Sequence, residues 1–117
     1  MSPTDVWTPS LLENYYMSRE YTKKEVRDKV LKHMKHLAKY WADQKGKTDL
    51  EKIEGAMFST LVILDGGCSD IPGFDVVCRP HPSDKEYHQN EGIDWFPDGM
   101  IINDDVEMHH EFAQTME

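Results

Sequence analysis

The sequence predicts an α+β, helix-dominated domain: an antiparallel helix pair, a small two-stranded β-ribbon and a C-terminal helix. Two capping boxes, "TKKE" from Thr22 and "TDLE" from Thr48, each lead into an apolar run of helical period. Between residues 66 and 103 the texture turns to Gly, Pro and β-branched residues. After Asn103 the chain returns to a helix-compatible run, "DDVEMHHEFAQTM".

Residues 1–21 read as an irregular arm, broken by Pro3 and Pro9 and rich in aromatics (Trp7, Tyr15, Tyr16, Tyr21). So many aromatics suit packing onto the body or onto a second subunit. The first helix starts at Thr22, whose hydroxyl can accept from the Glu25 amide while the Glu25 carboxylate reaches back. Val26, Val30, Met34, Leu37 and Trp41 form its apolar stripe, and Lys24, Lys32, Lys35 and Lys39 its opposite face. With Gly46 as the stop, it spans about 24 residues.

The second helix starts at Thr48, with Asp49 in the first turn, where the helix dipole favours an acid. Ile53, Met57, Leu61 and Leu64 hold the helical period, and Gly66 and Gly67 end it. A link as short as Gly46–Lys47 makes the two helices antiparallel neighbours over residues 22–65. Across 66–103, "FDVVCRP" reads as a short strand at 74–79, ended by Pro80 and Pro82. "SDKE" opens one or two helical turns over 84–91, closed by Gly92. "GMIIN" reads as a second strand at 99–103 that pairs with the first. Asn103 then caps a helix over 104–117, with Asp104 and Asp105 at its positive end.

At 117 residues the chain reads as a single domain, 1–117. Three Trp, five Tyr and four Phe argue against wholesale disorder. No apolar run approaches a membrane span, and the polar, proline-broken start does not read as a signal peptide. Cys68 and Cys78 form no disulfide framework and read as two free thiols of a cytoplasmic protein, although a bridge between them is conceivable if strands bring them close.

The net charge of −9 is unevenly spread. Residues 1–48 carry ten Lys/Arg against six acids, and residues 49–117 carry three against sixteen. An acidic lobe of that weight repels nucleic acid, keeps the chain soluble and suits a basic protein surface.

Most of the motifs that suggest chemistry have a plainer reading beside them. In "HHEFAQ", Gln114 stands where a zinc-protease helix needs its second His, four residues after His110. His33 and His36 sit three apart on the first helix, yet one borders the apolar stripe and the other the polar flank, so no metal site is expected there. "RPHPSDKEYH" offers more. Pro80 and Pro82 fix the backbone on either side of His81, and a helix from Ser83 would set Asp84 one turn from His88. His81 or His88 could then serve as base with Asp84 as orienter, and Asp65 and Asp75 could join the cluster. No nucleophile or phosphate-cradling loop accompanies them, so this remains the alternative reading: a small metal- or histidine-dependent enzyme or ligand-binding protein. Trp95 and Phe96, set among Asp94 and Asp98, read either as a loop covering the core or as an anchor in an acidic rim.

The run "LVILDGGCSDIPGFDVVCRPHPSDKEYHQNEGIDWFPD" resembles a pattern in small bacterial and phage proteins without an assigned activity. In that pattern Leu-Asp-Gly leads to Pro-Gly-Phe-Asp, then Pro-His-Pro-x-Asp and a Trp-containing close. The resemblance covers roughly 40 residues and implies a compact cytosolic accessory protein, with no catalytic role carried over.

The expected function is therefore non-enzymatic. The chain should bind a protein partner with a basic surface through Asp94, Trp95, Phe96, Asp98, Asp104 and Asp105. It needs no cofactor or metal, and neither nucleic acid nor membrane is a direct partner. A phage-encoded inhibitor or modulator of a host factor fits this reading, with charge mimicry of nucleic acid as a mechanism. A homodimer built on the first helix and the aromatic arm is a further option.

Overall fold

The fold, obtained as a computed structural model, describes residues 18–115, so most of the expected N-terminal arm lies outside the described residues. Its regular structure is four helices: α1 (Lys23–Ala42), α2 (Asp49–Leu64), α3 (Asp84–Glu91) and α4 (Met108–Thr115). Both capping boxes form. The Thr22 hydroxyl accepts from the Glu25 amide at 3.2 Å, and the Glu25 carboxylate accepts from the Thr22 amide at 2.9 Å. Thr48 and Glu51 repeat the exchange at 3.1 and 2.8 Å. Arg19 adds a two-pronged ion pair to Glu25, at 2.8 and 2.9 Å. That pairing, with the Thr22 amide, lowers the Glu25 carboxyl to about 2. Gly46, at φ +76°, lies in the link between the helices. It stands beyond the end of α1, which is 20 residues long and stops at Ala42.

α2 packs against both α1 and α4, while α3 packs against no other described helix. The α1–α2 contact turns on Gly55, which is buried. A Cβ built there would lie 2.6 Å from the ring atoms Cε3 and Cζ3 of Trp41, so the absent side chain is what admits the indole. The indole Nε1–H donates to Ser59 Oγ at 3.0 Å, one turn further along α2. Ile63 and Ile71 are the buried apolar side chains among the described residues, 2% and 5% exposed.

After α2 the chain turns through Gly66 (φ +87°) and doubles back, so that Gly73 crosses directly against it. A Cβ on either glycine would come within 3.2–3.3 Å of the other's Cα. The Phe74 amide donates to the Leu64 carbonyl at 2.8 Å and closes this corner.

The expected α+β class and its β-ribbon are not what the chain adopts: its described residues contain helices and no named strand. Segments 74–79 and 99–103 do approach each other, but they share one isolated antiparallel bridge, Val77 to Ile101. Backbone bonds flank that bridge: Cys78 amide to Met100 carbonyl at 2.8 Å, and Ile102 amide to Val76 carbonyl at 3.0 Å. Pairing ends at once on both sides. At one end Pro80 removes a donor and Gly99 (φ +83°) turns the chain, its amide bonding the Cys78 carbonyl. At the other, the Asn103 side chain replaces a backbone partner. It accepts from the Val76 amide at 2.9 Å and donates to the Phe74 carbonyl at 2.7 Å. Asn103 is thus a cross-link between segments instead of a helix cap, and the last helix begins at Met108, not at Asp104. The short helix expected over 84–91 forms and is ended by Gly92 in the left-handed conformation.

Candidate functional site

Three features outside the helical packing concentrate polar or exposed groups. The first is a clasp between the end of α2 and the start of α4. Asp65 follows α2 directly, and its side chain is 2% exposed. Its Oδ2 accepts from the His109 amide at 2.9 Å and meets His109 Nδ1 at 2.7 Å. His109 Nε2 faces Glu107 at 3.1 Å, and the ring packs edge-on to Phe58 at 5.5 Å. Burial pushes the Asp65 carboxyl up, but the His109 amide and ring, with the Met108 amide, outweigh it and hold the group below its ordinary value. Both ring nitrogens of His109 are occupied by carboxylates, so the ring works as a fastening and offers no free base.

The second feature is the contact of His33 with Cys68, 3.9 Å from Nε2 to Sγ, beside a cleft of about 300 Å³ flanked by Lys29, Lys32, His36 and Asp70. Cys68 and Cys78 are both free. No group of three or more His, Cys, Asp or Glu side chains among the described residues is arranged to hold a metal ion.

The third feature is the lobe from Phe74 to Val106, which carries His81, Asp84 and His88 as well as Asp94, Trp95, Phe96, Asp98, Asp104 and Asp105. His81, Asp84 and His88 all lie there, but no hydrogen bond joins Asp84 to His88. His81 Nδ1 instead accepts from the Ser83 amide at 3.2 Å and meets Ser83 Oγ at 2.8 Å. His88 turns inward beside Tyr87, with Nδ1 buried and unpartnered. Asp65, which could have completed that cluster, is held by His109.

On the same lobe Phe96 is 73% exposed and Trp95 is 42% exposed, with the Lys85 ammonium 5.7 Å from the Trp95 ring centre. Ile93, Met100 and Val77 are each about half exposed. Asp94 and Asp98 flank the two aromatics in sequence and lie in solvent, as do Asp104 and Asp105. Asp104 and Asp105 also line an acidic concavity of about 510 Å³ with Glu107 and Glu111. Phe96 therefore stands mostly clear of the fold, while more than half of Trp95 is covered.

The Asp65–His109 clasp was missed in the sequence because its partners lie 44 residues apart with no spacing rule to link them. A single Asp directly after a helix and a His near a later helix start were its only traces. No family model matches the chain, and neither curated proteins nor solved structures gave a significant match.

Proposed function

We propose that this protein is a small acidic accessory protein that acts in the cytoplasm by binding another protein. The contact centres on Phe96 and Trp95, with Asp94, Asp98, Asp104 and Asp105 supplying an acidic surround for a basic partner surface. The exposure of Phe96 carries this reading. A Phe held 73% in solvent on a segment cross-linked by Asn103 buries little of its ring in its own fold, yet fits the role of an interface anchor. Acidic neighbours would speed encounter with a basic surface and discriminate against acidic ones. Two free thiols suit a reducing compartment.

The test uses immobilised full chain, as wild type, Phe96→Ala and Trp95→Ala, to capture partners from lysate of the source cells. Affinities for the recovered partner are then measured. Loss of an anchor costs about 2 kcal/mol, so Phe96→Ala should weaken binding roughly 30-fold with an unchanged melting temperature. Raising salt from about 0.15 to about 1 M should weaken it further, because the screening length falls to about 3 Å. A partner held equally well by Phe96→Ala, or indifferent to salt, would defeat the proposal.

A further inference from the structure

We propose that the open apolar face shared by α1 and α2 is covered by a second copy of this chain, in a two-fold dimer that lays α1 of each protomer against α2 of its partner. Leu31 and Met34 stand three apart on α1, 52% and 38% exposed. Leu50, Ile53 and Met57 follow at spacings of three and four on α2, with exposures of 64%, 54% and 55%. Those intervals make one apolar stripe per helix. Met34, Ile53 and Met57 border a cleft of about 550 Å³ between the two helices, and Phe112 of α4 also lines it.

A surface helix turns such a stripe inward, but here the stripes face solvent while the core retains Ile63 and Ile71. At about 80 Å² for each half-exposed Leu, Ile or Met, the five side chains offer about 400 Å² per protomer, well above scattered surface apolarity. That is half of the roughly 800 Å² per partner of a stable complex, before the half-buried cleft residues and a polar rim are added.

Charge selects the occupant. On α1, Arg27 lies four and seven residues before Leu31 and Met34, whereas on α2 Asp49 and Glu54 lie within a turn of Leu50, Ile53 and Met57. Stacking α1 on α1 would oppose two basic helices. A two-fold interface that crosses α1 with the partner's α2 makes the attractive contact twice, because each patch is repeated by symmetry. A second copy therefore matches the face in both apolarity and charge. The face is separate from the Phe96 lobe, so the two proposals stand independently.

Sedimentation of the full chain between about 1 and about 100 µM tests this, because an associating fold gains mass and thermal stability with concentration. The mass should rise from 13.6 kDa toward twice that value, with the melting temperature climbing alongside. The double variant Ile53→Gln/Met57→Gln should raise the dissociation constant at least tenfold while keeping its helical circular dichroism. If that variant does not fold, Leu50→Gln in the first turn of α2 serves the same purpose. Phe96→Ala should leave the mass unchanged. A wild type that stays monomeric at about 100 µM with a concentration-independent melting temperature overturns the dimer. If removing residues 1–17 then produces a dimer, that segment is the occupant instead. A dimer that survives the Gln substitutions also overturns the proposal, because its interface lies elsewhere.

Discussion

Replacing Gly55 by Ala sets two effects against each other, and the structure decides between them. By helix propensity alone the change should stabilise α2 by about 1 kcal/mol. The new methyl, however, would sit 2.6 Å from two ring atoms of Trp41 and 2.7 Å from a third. Real contacts need about 3.5 Å or more, so the indole must retreat by about 1 Å. Overpacking of this kind costs about 1–3 kcal/mol, and losing the indole bond to Ser59 about 1 kcal/mol more. The net expectation is destabilisation by about 1–3 kcal/mol, or a melting temperature lower by about 4–20 °C for a domain of this size. Far-UV circular dichroism in thermal and urea melts, at one fixed protein concentration, measures it. Pairing the change with Trp41→Leu should recover part of the loss, and Ser59→Ala alone should cost about 1 kcal/mol. A Gly55→Ala variant more stable than wild type would refute the close approach of Trp41, leaving propensity alone in command.

The lowered Asp65 carboxyl has a signed consequence. Its stabilisation is present above the unfolded value near 3.9 and is lost as pH falls through its lower folded value. Asp65→Asn should therefore flatten the acid limb of the stability–pH curve and cost about 1–3 kcal/mol at pH 7, read from urea melts at stepped pH. An unchanged acid limb would show that the clasp does not bear on stability. Thr22→Ala and Thr48→Ala should each cost about 1 kcal/mol in the same melts, and the two losses should add because the caps are far apart along the chain.

Local chemistry was legible in the sequence, and long-range chemistry was not. The two capping boxes and the left-handed Gly92 depend on residues within a turn of one another, so the sequence places them correctly. The β-ribbon failed because pairing needs a run of matched backbone groups, and "FDVVCRP" meets "GMIIN" at only one pair before Pro80 and Asn103 intervene. Asn103 illustrates the ambiguity. An Asn before two acids reads as a cap, yet its amide is equally able to complete a backbone pairing 29 residues away. His81, Asp84 and His88 showed spacing without conformation. The Ser83 hydroxyl that should have capped α3 meets His81 instead, and His88 turns inward.

The crossing of Gly66 and Gly73 bears on how a mutational scan of this protein should be read. A Cβ at either glycine would sit 3.2–3.3 Å from the other's Cα, so the corner must give by a few tenths of an ångström, and at Gly66 the left-handed backbone adds strain. A screen that reads stability together with partner binding should therefore separate Gly66 and Gly73, which strain the corner, from Phe96, which does not. The glycine variants should lower the melting temperature, whereas Phe96→Ala should leave it unchanged. For this fold, a binding defect that comes with lost stability points to the corner, and one that comes without it points to the contact.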